Sequence, residues 1–300
     1  MSAAFILDEV RKDLLSERMS EIDYIKSLGK KQGWNIGRTD FYSFIKSGQV
    51  DFYCICLKDG EGNKSTIGAI SVFSDGHFSM IGSFILTAER RGNGVGQFIF
   101  SEILEKYKGT HIGLLSDPKR QAFYERNGLS AVACFSSLAI RVKKPMVMGD
   151  KLDGLTAFEM ENLLKFDSLL TGIHRHNFLR SLIDHSSDGT YVAFEDGVVS
   201  GYGLIRPLDS GWRVSIYGTS SQSFQLIFGK LINHFFSTEG KNEDETFFMD
   251  CPSDKERRLL PFFRCSLENR YPVMFSDNRA ALPRNLGGEG TWGILSEECG

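Results

Sequence analysis

One stretch constrains this chain more than any other: Ser83-Phe-Ile-Leu-Thr-Ala-Glu-Arg-Arg-Gly-Asn-Gly-Val-Gly-Gln-Phe-Ile-Phe-Ser-Glu-Ile-Leu104. The apolar run Phe84, Ile85 and Leu86 reads as the end of a strand. Two arginines and three glycines follow, and then Phe98, Ile99, Ile103 and Leu104 mark one face of a helix. A strand that turns through bare backbone into a helix makes an anion site. The glycines leave N–H groups uncovered, and the helix N-terminus adds partial positive charge. The pattern predicts a phosphorylated ligand.

Composition narrows the class. At 300 residues the chain exceeds one ordinary core, so two domains are expected. A 41% hydrophobic and 24% charged make-up is that of a globular protein, not a disordered one. The formal charge of −3 argues against a general nucleic-acid binder. Six cysteines show no CxxC spacing, which leaves metal and disulfide frameworks unsupported and predicts reduced thiols in the cytoplasm. No run approaches the ~18 apolar residues of a membrane span, and the N-terminus lacks a leader pattern, so no membrane partner is expected.

Ahead of the loop, Ser20-Glu-Ile-Asp23 resembles a capping box opening a helix through Ile22, Ile25 and Leu28. A Gly33–Gly37 loop and a short helix around Phe41, Phe44 and Ile45 come next. Phe52–Leu57 and Thr66–Phe73 read as a hairpin, and His77–Leu86 as a third strand entering the loop. Beyond the loop helix, Ile112–Leu115 is a short strand and Lys119–Asn127 a helix with Pro118 before it and Gly128 after it. Ala131–Phe135 and Leu138–Val142 are two closing strands. The order predicts an α/β (α+β) domain: a mixed sheet with an antiparallel start and one βαβ crossover behind the loop.

Three readings of the loop compete. A Walker loop fails, because no lysine follows Gly96. A dinucleotide loop starting at Gly92 finds its third glycine one residue early, with Gln97 in its place, although Asp117 imitates the ribose-binding acid. A plain turn stays open beside it. The third reading rests on Arg91-Gly-Asn-Gly94-Val-Gly96, which fits the Arg-x-x-Gly-x-Gly pyrophosphate loop of the GNAT superfamily of acyl-CoA-dependent N-acetyltransferases. Leu86–Gly92 resembles that family's approach to the loop, with Ala88 where proline is common. Phe123-Tyr124-Glu-Arg-Asn-Gly-Leu129 is similar to the family's helix ending in Tyr-x-x-x-Gly-Phe, with Asp117 where asparagine often stands.

The resemblance implies a mostly antiparallel twisted sheet flanked by helices and acetyl-CoA as co-substrate. Arg91, Gly92, Asn93, Gly94, Val95 and Gly96 would take the pyrophosphate, and Ile85 and Leu86 the pantetheine arm. Tyr124 would protonate the departing thiolate, or else pack its ring in the core. Trp34 would wall the acceptor pocket, or lie in the core. The base for the incoming amine is not assigned: Asp75 and His77 precede the third strand, and a turn accounts for them equally well.

The second half repeats the plan. Lys143–Asp150 reads as a junction, dividing the chain into 1–145 and 146–300. Thr156-Ala-Phe-Glu159 is a capping box, and the next helix would carry His174 and His176 as surface residues flanking Arg175. A Thr190–Pro207 hairpin, with Gly201 echoing Gly68, and a strand at Arg213–Gly218 follow. The loop Thr219–Gln225 has no arginine and no glycine cluster, so a degenerate, cofactor-free copy is expected. Gly33–Gly37 with Asp40, and Gly172–Arg175 with Phe178 and Leu179, resemble a two-domain GNAT subgroup, from which Phe275–Asn278 departs. The tail from Gly288, with Trp292, reads as peripheral. The expected activity is direct acetyl transfer to an amine of a small molecule or peptide in a ternary complex. The rival is a non-catalytic acyl-CoA sensor.

Overall fold

A computed structural model describes residues 4–143, 152–239, 245–259 and 264–276. Most of the expected junction, Asp277 and Asn278 of the departing turn, and the tail from Gly288 lie outside these residues. The first half runs β1 (Ala4–Glu9), α1 (Met19–Lys31), α2 (Asp40–Ser47), β2 (Val50–Lys58), β3 (Lys64–Ser74), β4 (Phe78–Leu86), α3 (Val95–Lys106), β5 (His111–Leu115), α4 (Gln121–Arg126) and β6 (Ser130–Val142). The second runs α5 (Ala157–Thr171), α6 (His176–Ser186), β7 (Gly189–Glu195), β8 (Val198–Pro207), β9 (Trp212–Gly218), α7 (Ser221–Glu239), β10 (Glu245–Pro252), α8 (Ser253–Leu259) and β11 (Arg264–Phe275).

The strands form one sheet of eleven, ordered β1-β2-β3-β4-β5-β11-β6-β10-β9-β8-β7. All neighbours are antiparallel except β4–β5 and β9–β10. The last strands are exchanged. β11 lies between β5 and β6, while β6 pairs on its other edge with β10. Leu138 faces Leu267 near the middle of this antiparallel centre, and the halves repeat outward on either side of it.

Side-chain alternation sends successive residues to opposite faces. Ala69 and Phe73 of β3 join a core shared by all four helices α1, α2, α5 and α6, including Ile22, Phe44, Leu163 and Phe178. Ile70 and Val72 point the other way, onto Ile99, Phe100 and Ile103 of α3. In the second half, Val214 and Ile216 likewise meet Ile227, Leu231 and Phe235 of α7. One face is therefore a continuous helical layer across both halves, and the other carries two separate helix-on-sheet cores.

Four local expectations change. A strand precedes the first helix: Ala4–Glu9 is a short apolar run at the sheet edge, held by pairs such as Leu7 with Ile55. The capping box at Ser20 does not form, because a 3-10 turn at Leu15–Arg18 feeds straight into α1 and leaves Ser20 inside the helix. The two closing strands are one strand, Ser130–Val142, whose central Ser136 is buried and bonded to Glu256 at 2.7 Å. Gly172, at φ +72°, ends α5, so α6 begins only at His176 and His174 precedes it. Both histidines are exposed, but Arg175 between them is fully buried, paired with Asp167 at 2.8 Å. The capping box at Thr156 and Glu159 forms as expected.

Candidate active site

The two parallel strands of the first half part company. β4 and β5 pair from Phe78–His111 to Ile81–Leu114 and no further, while β4 continues to Leu86. Beyond Ile81, β4 holds to β3 alone, and there the register slips between Ala69 and Ser71. The extra residue is on β4, a bulge where Ser83 adopts φ +47°, a left-handed conformation rare outside glycine. Gly68 permits this close approach, since a Cβ there would sit 2.1 Å from the Ile85 carbonyl oxygen. Gly82, Ser83 and Phe84 are only half-buried although β4 is interior to the sheet. The gap between β4 and β5 therefore reaches solvent.

The glycine loop closes the end of this gap. Gly92 and Gly94 have φ of +78° and +79°, and a Cβ at either would point into open space. Gly94 precedes α3, which has no side-chain cap. Among the described residues, no backbone hydrogen bond is made by the N–H groups of residues 92–97. A helix terminus with its first donors uncovered attracts anions. Arg91 braces the loop from behind: its Nε and Nη2 donate to the Leu86 carbonyl at 2.9 and 2.7 Å. Its Nη1 donates to Gln32 Oε1 at 2.8 Å.

Tyr124 lies on α4, its ring 5.3 Å from Phe100 of α3. Burial pushes its phenol up to about 12, with Asp117 adding to the shift and Arg120 opposing it. Its helix is tied to the loop helix by an amide pair: Gln97 Nε2 donates to Asn127 Oδ1 at 2.5 Å, and Asn127 Nδ2 to Gln97 Oε1 at 3.2 Å. It is also tied to the other half. Ser116 N–H, just before the 3-10 turn Pro118–Arg120 that leads into α4, donates to the Pro272 carbonyl of β11 at 2.8 Å.

Trp34 follows α1, its N–H on the Gly29 carbonyl at 3.1 Å and its ring packed on the shared helical core. Trp34 and Tyr124 thus belong to opposite faces of the sheet, with the gap between them. Ile85 is buried on Trp34's side and Leu86 on Tyr124's. Asp75 and His77 are remote. They precede β4 at the end where it still pairs with β5, and Asp75 is occupied as an acceptor for the N–H groups of His77 and Phe78 at 2.8 Å and of His174 at 3.0 Å. Gln32 escaped the sequence reading. Its only signal is a polar side chain one residue past the last basic turn of α1, before Gly33.

No protein-family model matches the chain. A candidate acetyltransferase from Pyrococcus horikoshii superposes with a TM-score of 0.68 at 12% identity, covering 99% of this chain and 96% of that one. A tandem GNAT protein from the clavulanic acid biosynthesis pathway superposes with a TM-score of 0.61 at 10% identity, covering 91% of this chain and 98% of that one. The fold is that of a tandem GNAT protein. In sequence, the chain is similar to the holothin acyltransferase of Pseudoalteromonas sp. strain SANK 73390, 22% identical over 193 residues, or 63% of this chain. The match spans 63% of the length of that curated relative. In this tandem GNAT fold, the strand gap and glycine loop form in the first half. Among the described residues, no group of three or more His, Cys, Asp or Glu could hold a metal ion, and no helix is long and apolar enough to cross a membrane.

Proposed function

We propose that the chain is an acetyl-CoA-dependent N-acetyltransferase with one coenzyme A site, in residues 1–145, and a cofactor-free second domain, 146–300. The observation that carries the proposal is the open gap between β4 and β5 leading onto an uncapped helix N-terminus. The pyrophosphate would sit on the N–H groups of Gly92, Asn93, Gly94, Val95 and Gly96, with Arg91 behind them. The pantetheine arm would lie along the β4 backbone at Ile85 and Leu86. The cofactor enters from the α3–α4 face and the amine from the face carrying Trp34, so the two meet within the gap. This is the arrangement a ternary complex requires.

The amine nitrogen forms its bond to the thioester carbonyl, the C–S bond breaks, and one proton passes from nitrogen to sulfur in net. Tyr124 stays protonated throughout the physiological range, because burial holds it up at about 12. A thiol near 8.5 is the stronger acid, so full transfer from the phenol to a free thiolate is uphill. Tyr124 therefore works as a hydrogen-bond donor to sulfur as charge develops, not as an acid that ionises first. The acceptor is a small-molecule or peptide amine, and the free thiols of Cys54, Cys56, Cys134, Cys251 and Cys265 suit the reducing cytoplasm.

Thiol release from acetyl-CoA, measured against amino acids, polyamines, aminosugars, arylamines and peptides, tests the reading. Tyr124→Phe should lower kcat at least about tenfold with coenzyme A affinity unchanged. The wild-type rate should show no alkaline limb from this tyrosine below about pH 11. Tight acetyl-CoA binding with no turnover of any amine would favour the sensor instead.

A further inference from the structure

We propose that Gln32, at the end of a helix whose following loop docks on the second half of the chain, is a positioning residue for the coenzyme A grip; this rests on the coenzyme A reading above. A guanidinium carries five N–H donors. Arg91 commits three of them, two to the Leu86 carbonyl and one to Gln32 Oε1, leaving one N–H on Nη1 and one on Nη2. Two bonds to a single oxygen act as a hinge about which the planar group can tilt. The third bond, at the far end of the guanidinium, fixes the plane and so the direction of the two uncommitted donors.

Gln32 itself is exposed, and it is the loop following it that is docked on the other half. The Gln32 N–H closes α1 on the Gly29 carbonyl at 2.9 Å. The chain after it lies against the β8–β9 turn. Asn35 Nδ2 donates to the Ser210 carbonyl at 2.8 Å, and Ser210 N–H returns to Asn35 Oδ1 at 3.0 Å. Asp209 N–H donates to the Ile36 carbonyl at 3.0 Å and Arg38 N–H to the Pro207 carbonyl at 3.3 Å. The buried pair of Asp40 and Arg206, at 2.5 Å, locks the far end. Gly37 is required between them, since a Cβ would fall 2.2 Å from the Asp40 carboxyl carbon. The α1–α2 loop is thus fixed on the turn between β8 and β9 at one end and leads, through the backbone of Gly33 and Trp34, to Gln32 and Arg91 at the other.

Calorimetric titration with coenzyme A tests this on the full-length protein. Gln32→Met keeps the side-chain length and removes the acceptor. It should weaken binding about five- to twentyfold while the thermal midpoint holds. In an Arg91→Ala background the same change should add less than about twofold, because its partner is gone. Asn35→Ala should weaken binding in the same direction by a smaller factor. Wild-type affinity in Gln32→Met, or an effect undiminished by Arg91→Ala, would overturn the assignment of Gln32 alone. A wild-type protein that binds no coenzyme A would instead remove the reading beneath it.

Discussion

In the first half β4 and β5 separate after Ile81, and in the second β9 and β10 separate after Arg213, yet among the described residues the strands flanking the two gaps differ in exposure. Gly82–Phe84 beside the first gap are half-buried, whereas Val214–Gly218 beside the second are all buried. The ion pair of Arg213 with Asp250, at 2.9 Å, spans the second gap where pairing stops. β9 has no bulge, and its register against β8 is unbroken. The sharpest contrast follows the strands. Thr87 N–H and Thr219 N–H make equivalent bonds back to Ile67 and Ser200, at 2.8 and 2.9 Å. Residues 88–94 then separate Thr87 from α3, but only Ser220 separates Thr219 from α7. Ser220 caps α7, its Oγ accepting from Ser223 N–H at 3.1 Å. The same fold therefore yields an uncovered helix N-terminus or a capped one according to loop length and cap. A helix N-terminus is available to a ligand only when its own chain leaves it unsatisfied.

The largest effect that tests this contrast is expected at Gly94. A valine there meets open space, but at φ +79° it is strained and its branches project beside the uncovered donors. Gly94→Val should weaken coenzyme A binding about 10–100-fold in calorimetry, from a wild-type stoichiometry of one per chain. Two equivalents bound by wild type would break the contrast outright. Next come the paired glycines that admit the neighbouring strand. An alanine Cβ at Gly68 would meet the Ile85 carbonyl oxygen at 2.1 Å, and at Gly201 the Tyr217 carbonyl oxygen at 2.7 Å. Each substitution should destabilise by about 1–3 kcal/mol in denaturant titration, Gly68→Ala the more. Only Gly68→Ala should also weaken coenzyme A binding, because only its carbonyl belongs to the proposed cofactor strand. Equal loss of binding in Gly201→Ala would show that the second gap takes part.

Much of this was legible locally. The glycine loop and the Thr156 box depend on neighbouring residues and their backbone freedom, and both stand where the residue types put them. The paired hairpins were readable from their β-forming residues and the turn clusters between them, and the absent glycine cluster from the residue types at 219–225. What stayed hidden was set by distance along the chain. Nothing near Arg264–Phe275 says that this strand inserts beside His111–Leu115, since that choice is made by two strand edges far apart in sequence. The burial of Arg175 between two surface histidines was not readable, because its partners, Asp167 and the ring of Tyr217, come from other elements. Gln32 was silent for the same reason, its meaning residing wholly in Arg91. Ser20 shows the reverse error: a correct local motif, overruled by the turn that precedes it.

The smallest effect is the most discriminating about the cap. Ser220→Ala removes the side-chain acceptor that Ser223 N–H uses and leaves the rest of α7 unchanged. Loss of such a cap costs about 1 kcal/mol, which should lower the thermal midpoint by about 2–4 °C. Coenzyme A affinity should stay within about twofold of wild type, because the donors exposed by the change belong to a helix docked directly on the end of β9, with no loop to approach a phosphate. The buried Phe224 just inside that helix, 3% exposed, keeps the terminus against the sheet. If Ser220→Ala instead gained a second, weaker coenzyme A equivalent, the cap alone would separate the two halves. Loop length would then be incidental. Unchanged stoichiometry with a lowered midpoint assigns the difference to the residues 88–94 that the second half lacks.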